Sequence, residues 1–174
     1  MTGKQQPPVT QECDIVQLVE KHHATIYAYA YRLSGRPEDA EDLAQQTFLI
    51  AQQKLNQLRD WEKAFSWLCQ ILRSVFLRSR SRKRPFREAD LDCDVIEFIP
   101  SMEVDDLVDL ELMQTALNRV SDDFRTILLM FYFEGLSYKQ IAEELQIPAG
   151  TVMSRLARAK AMLREKMTSQ QIGI

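Results

Sequence analysis

Residues 134–159 read Glu134-Gly135-Leu136-Ser137-Tyr138-Lys139-Gln140-Ile141-Ala142-Glu143-Glu144-Leu145-Gln146-Ile147-Pro148-Ala149-Gly150-Thr151-Val152-Met153-Ser154-Arg155-Leu156-Ala157-Arg158-Ala159. Glu134-Gly135 makes a turn, and Ser137 with Gln140 three residues on forms a capping box that satisfies N–H donors at a helix start. A short helix begins there, turns Ile141, Ala142 and Leu145 inward and ends near Gln146. Ile147-Pro148 gives the next turn, with Pro148 where a new helix can begin. In that second helix Val152, Leu156, Ala159 and Leu163 share one side at about 100° per residue and should pack against the helices before it. The spacing predicts a helix-turn-helix.

Thr151, Ser154 and Arg158 project away from that stripe, with Arg155 at the flank of the polar side. Ala157 and Ala161 keep the side low in bulk, so the helix fits closely into a major groove. An arginine there reads guanine bidentately or holds a phosphate. A pair of helices with a basic face is, for an anonymous hairpin, more often a solvated surface. The agreement of cap, turn, inward stripe and small-residue face favours DNA binding here.

Upstream of this segment, Leu107, Leu110, Met113, Leu117 and Val120 show helical periodicity. Ser121, Asp122 and Asp123 then supply an N-cap and an acidic first turn for a helix over Phe124–Phe133. Before Leu107 the pattern breaks. Residues 88–106 carry Pro100, scattered apolar residues and heavy acidity, which predicts a flexible linker. Charge is segregated around it: Arg73, Arg78, Arg80, Arg82, Lys83, Arg84 and Arg87 precede it, and Glu88 to Glu111 contain no Lys or Arg.

Earlier still, Ile15, Leu18, Val19, Ile26, Ala30 and Leu33 lie on one helical stripe, which Ser34, Gly35 and Pro37 stop. A second stripe, Ala40, Leu43, Ala44, Thr47, Ala51, Leu55 and Leu58, follows the acidic opening Glu38, Asp39, Glu41 and Asp42. A third runs from about Ala64 through Leu68, Ile71, Leu72 and Val75. No segment alternates as a strand does. The expected fold is all-α: an N-terminal tail (1–13), a helical bundle (14–87), the acidic linker (88–106), a helix-turn-helix domain (107–168) and a C-terminal tail (169–174).

A chain of 174 residues with 45% hydrophobic content has enough apolar surface for two small cores. The net charge of −3 argues against a protein that is basic overall and clings to any nucleic acid. No apolar run approaches the length of a membrane span and Met1–Thr10 lacks a signal-like pattern, so a cytoplasmic protein without membrane insertion is expected. Cys13, Cys69 and Cys93 are widely spaced and read as free thiols. His22 and His23 are adjacent, so they point about 100° apart on a helix and do not pair on one metal. No cofactor is expected.

Leu136-Ser137-Tyr138-Lys139-Gln140-Ile141-Ala142, followed by Ile147 to Ala159, closely resembles the C-terminal domain of the extracytoplasmic-function group of sigma-70 family factors. Independently, Asp39-Ala40-Glu41-Asp42-Leu43-Ala44-Gln45-Gln46-Thr47-Phe48 resembles the helix such factors present to the polymerase clamp. The resemblance covers roughly Ile15–Arg84 and Leu107–Met167. It implies a sigma factor that binds core RNA polymerase and promoter DNA, is held by an anti-sigma factor, and has no catalytic centre of its own.

By that resemblance Asp42, Gln45 and Gln46 face the clamp; a solvated helix face is the plain reading of the same residues. Thr151, Ser154, Arg155 and Arg158 read the minus-thirty-five element. The first domain reads the minus-ten element through bases that leave the stack, with a pocket in the loop before Trp67. Trp61 and Phe65 stack on an unpaired base at about 1 to 3 kcal/mol, or pack into the core. Ser74, Arg78 and Arg80 lie along the strand, and the basic block from Arg73 to Arg87 follows the backbone by releasing counterions. Ser74 stands where asparagine is usual, Val120-Ser121 where Leu-Pro is common, and Met153 where lysine is frequent.

Two other classes compete. A stand-alone helix-turn-helix regulator would dimerise on half-sites one turn apart, but leaves the motif around Asp42 unused. A metal-dependent nuclease would draw ligands from Glu38, Asp39, Glu41 and Asp42, which are neighbours at one helix start and do not converge.

Overall fold

The computed structural model describes residues 11–81 and 110–171, and those residues are helical throughout apart from short turns. In chain order the helices are α1 (Gln11–Ser34), α2 (Pro37–Gln53), α3 (Ala64–Ser81), α4 (Leu110–Asn118), α5 (Asp122–Tyr132), α6 (Tyr138–Leu145) and α7 (Ala149–Gln171), with 3-10 turns at Leu55–Gln57 and Trp61–Lys63. The tail before residue 11 and the expected linker at 88–106 lie outside the described residues.

Each half has its own apolar cluster. In the first, α1, α2 and α3 bury Leu18, Ile26, Ala30, Leu33, Ala40, Leu43, Ala44, Ala51, Leu68 and Leu72, the stripes expected from periodicity. Each such leucine or isoleucine contributes roughly 1.5 to 3 kcal/mol on burial. Thr47 joins them because its hydroxyl donates to the Leu43 carbonyl at 2.7 Å, which removes the cost of a buried polar group. Tyr29, Cys69 and Phe76 are also fully enclosed. In the second half, Leu117, Val120, Ile127, Met130, Ile141, Val152, Leu156 and Ala159 form the core shared by α4 to α7.

The turns follow local chemistry. Gly35 ends α1 with φ +76° while its N–H donates to the Tyr31 carbonyl at 2.8 Å, a left-handed stop that favours glycine. Pro37 opens α2 without losing a bond, because the first-turn N–H has no helical partner. Both halves of the Ser137/Gln140 capping box are made. Gln146 adopts φ +55° to end α6, and α7 starts three residues later. Ser121 behaves differently from expectation. It occupies the N-cap of α5, but its hydroxyl makes no cap bond, and only its carbonyl serves the helix by accepting from the Arg125 N–H at 2.8 Å.

The halves pack on one another. Leu129 of α5 belongs to the first core cluster, and the Phe133 ring lies 4.9 Å from that of Tyr29 and 6.4 Å from that of Phe65. At the end of α1 the Gln114 amide donates to the Tyr31 carbonyl at 3.3 Å and Arg125 donates to the Leu33 carbonyl at 2.5 Å. The last carbonyls of a helix have no partner within it and carry the negative end of its dipole, so donors from another element fit there.

Candidate polymerase and nucleic-acid interfaces

On α2, Asp42, Gln45 and Gln46 are exposed, while the neighbouring Leu43, Ala44 and Thr47 are buried. Positions i, i+3 and i+4 share a helix face, so the three expected clamp residues form one polar ridge. Leu49, one turn further along the same ridge, is 58% exposed. Its spacing of seven from Asp42 places it on that outward face despite its apolar character.

The helix-turn-helix is assembled as its pattern requires. Val152, Leu156 and Ala159 hold α7 against α5 and α6, and Leu163 is partly buried at the edge of that core. Thr151, Ser154, Arg155 and Arg158 recur at i, i+3, i+4 and i+7 and are all partly exposed, beside a half-exposed Met153. Ser154 is oriented by donating its hydroxyl to the Thr151 carbonyl at 3.1 Å. On the adjacent side Lys160 lies over the rings of Phe131 and Tyr132, at 4.9 and 5.2 Å.

The residues expected at the minus-ten element are not gathered into one surface. Trp61, 42% exposed, lies in a groove against α1 with Gln17, Lys21 and His22. Phe65 is half-buried between His22 and Phe133, so in this arrangement its ring packs between the two halves. Ser74 and Arg78 are joined: the guanidinium donates to the Ser74 hydroxyl at 2.7 Å and to its carbonyl at 3.1 Å. Arg80 lies 3.5 Å from the Asp122 carboxylate and over the Phe76 ring. A cavity of about 360 Å³ does open in the loop before Trp67, lined by Gln57, Arg59, Asp60, Lys63, Trp67 and Gln70. Asp60 of that lining accepts from the Glu62 N–H at 3.0 Å and pairs with Lys63 at 3.4 Å.

Arg73 departs most from the sequence reading, which set it among cations following the DNA backbone. It is only 4% exposed and its guanidinium is paired with both Glu134 and Glu144 from the other half. Tyr29, fully enclosed, donates its hydroxyl to the same Glu134 carboxylate at 2.5 Å. Gln70 donates to Glu144 at 3.0 Å. Burial opposes the charge of Arg73, but Tyr29 and Glu134 outweigh it, so its pKa is raised. Burial, reinforced by the Glu134 charge, holds the Tyr29 phenol well above its ordinary value, and burial likewise raises the Cys69 thiol beside it. A basic block in a sequence carries no sign of which member will be enclosed by a partner 61 residues away.

Among the described residues no three carboxylate, imidazole or thiol groups converge on a point where one ion would fit. Glu38, Asp39, Glu41 and Asp42 therefore build no metal cage. Among the same residues no helix is long and apolar enough to cross a membrane.

Comparison with known proteins agrees with this geometry. The family described as Sigma-70 region 2 matches residues 18–86, and Sigma-70, region 4 matches residues 110–163. The chain is 34% identical over 161 residues to the ECF RNA polymerase sigma factor SigL of Mycobacterium tuberculosis, covering 90% of this chain and 89% of the relative. It is 28% identical over 162 residues to the ECF RNA polymerase sigma factor SigW of Bacillus subtilis, covering 86% and 87% of the two chains. Among solved structures it resembles the sigma factor RpoE of Bartonella quintana in complex with the anti-sigma factor NepR, with a TM-score of 0.65, 30% identity, and coverage of 89% of this chain and 97% of that one. The chain belongs to the extracytoplasmic-function group of the sigma-70 family of RNA polymerase sigma factors.

Proposed function

We infer that this chain is a sigma subunit: it binds core RNA polymerase and directs promoter-specific initiation, while the polymerase supplies the catalytic centre. The observation that carries the reading is the presence in one chain of two separate i, i+3, i+4 faces. One is the exposed ridge of Asp42, Gln45 and Gln46 on α2, and the other is the polar face of α7 behind a fully formed helix-turn-helix. A stand-alone regulator has use for the second face only.

In this assignment residues 14–87 engage the polymerase clamp and the minus-ten element, and 107–168 engage the minus-thirty-five element through Thr151, Ser154, Arg155 and Arg158. Trp61, Phe65, Ser74, Arg78 and Arg80 serve the minus-ten strand, with the cavity before Trp67 as the place for an extruded base. The protein works in the cytoplasm, where its polymerase is, and an anti-sigma factor restrains it. The test is run-off transcription from genomic DNA with core polymerase, alongside co-migration of the pure protein with core. Discrete transcripts that require both components are expected. A protein that binds a promoter as a dimer and never co-migrates with core is the regulator instead.

A further inference from the structure

Among the described residues Met153 is the one large apolar side chain of α7 left exposed, at 53%. It stands in the second turn of α7, and the N-terminal turns of a recognition helix are the ones that meet base edges. Counted at about 100° per residue from the buried Val152, Leu156, Ala159 and Leu163 stripe, Gly150, Ser154, Ala157 and Ala161 face the opposite way. Met153 borders that face on one side, and Thr151, Arg155 and Arg158 border it on the other. The face itself is shallow: a Cβ at Gly150 would meet open space, and Ala157 and Ala161 end in single methyl groups. A base edge therefore comes within reach of the Met153 side chain. Lys160, two turns along the same side, is drawn instead over the rings of Phe131 and Tyr132.

We propose that Met153 sets a base preference in the minus-thirty-five element by packing on the C5-methyl group of one thymine. The proposal rests on reading α7 as the helix that enters this element. A thioether has no N–H or O–H to offer a base or a phosphate. Guanine, adenine and cytosine present hydrogen-bonding groups in the major groove, and covering those with methionine takes them from water without giving a partner. Thymine adds a methyl group, the one apolar feature that groove displays. Three rotatable bonds and a polarizable sulfur let methionine wrap around it. A lysine at this position, the frequent residue in the family, would hold a phosphate whatever the sequence. Met153 exchanges that sequence-independent contact for a sequence-dependent one, separate from the guanine or phosphate contact of Arg158.

The test uses holoenzyme and the promoter recovered by run-off transcription. Each thymine of the minus-thirty-five region, on either strand, is replaced in turn by deoxyuridine, which removes the methyl group and keeps the base pair. The thymine and uracil duplexes then compete for holoenzyme carrying the parent chain, Met153→Gln or Met153→Ala. At one position uracil should weaken binding by the parent about fourfold, the worth of one buried methyl group. Glutamine matches methionine in length but is polar, and alanine is too short to reach the base, so both variants should bind the two duplexes equally. Helicity should match the parent in each, because Met153 is exposed and outside the core.

Equal binding of thymine and uracil duplexes by the parent at every position overturns the proposal. So does a uracil penalty that survives either substitution, which would assign the methyl group to another side chain. Loss of core association by Met153→Gln with the thymine preference intact overturns it too, by turning Met153 towards the polymerase. If no transcript requires both this chain and core, the sigma reading fails and the proposal falls with it. A promoter that is transcribed yet indifferent to uracil defeats the proposal alone.

Discussion

The guanidinium of Arg125 on α5 caps the end of α1 by donating to the Leu33 carbonyl at 2.5 Å, and donates within its own half to the Val120 carbonyl at 3.0 Å. Its residue is 5% exposed, and burial lowers its pKa. One buried side chain thus satisfies carbonyls in both halves. Arg125→Met keeps much of the apolar stem and leaves those carbonyls without their donor. The variant should lose roughly 1.5 to 3 kcal/mol in urea unfolding, the range for hydrogen bonds to charged groups. A loss under about 0.5 kcal/mol, the scale of ordinary surface substitutions, would show that the cap contributes nothing net.

Alkaline pH should weaken the fold at the junction of the halves. Tyr29 and Cys69 have folded pKa values raised by burial, so the folded state keeps protons that the unfolded chain releases from about pH 9 for the thiol and about pH 10 for the phenol. Stability from these groups is complete below those values and falls as pH rises above them. Thermal melts between pH 8 and 11 should show the decline, and Tyr29→Phe/Cys69→Ala should flatten it. An equal decline in the double variant would place its origin elsewhere.

Asp42→Ala with Gln45→Ala should weaken association with core polymerase by about tenfold or more, equivalent to about 1.4 kcal/mol. Helicity should not change, because both side chains are exposed. Pull-down with core and circular dichroism on the same preparation are the measurements. Normal retention of core would remove α2 from the polymerase contact.

Arg158→Ala leaves Val152, Leu156 and Ala159 in the core. It should reduce promoter discrimination by roughly 1 to 3 kcal/mol if the arginine reads a base, or mainly flatten the salt dependence if it holds a phosphate. Competition between promoter and scrambled duplex, measured with holoenzyme at several salt concentrations, separates the two roles. Unaltered discrimination and an unaltered salt slope would take Arg158 off the DNA.

The helices and the helix-turn-helix were legible because their signals are local. Periodicity selected Leu18, Leu43, Leu68 and Val152, and the Ser137/Gln140 cap and Pro148 turn are written in neighbouring residues. The ridge of Asp42, Gln45 and Gln46 was legible for the same reason. Arg73 was not, because its enclosure depends on Glu134 and Glu144, and neither residue's sequence context points to a partner in α3. The surroundings of Phe65 were not legible for a related reason: an aromatic at a helix start fits a base or a core, and its neighbour Phe133 comes from the other half.

Every bond that encloses Arg73 joins a donor made early to an acceptor made late; 61 residues separate Arg73 from Glu134. At about 5 to 20 residues per second of synthesis, the ribosome takes roughly 3 to 12 s to cover that distance. During those seconds the nascent chain displays α2 and α3 before the carboxylates that cover Arg73 have been made. Stalled nascent chains lacking Glu134 should therefore leave Arg73 open to an arginine-modifying reagent such as phenylglyoxal, and protection equal to that of the released chain would rule this window out. Asp42, Gln45 and Gln46 stay exposed with the halves packed, so the order of synthesis changes what Arg73 meets and leaves the α2 ridge open throughout.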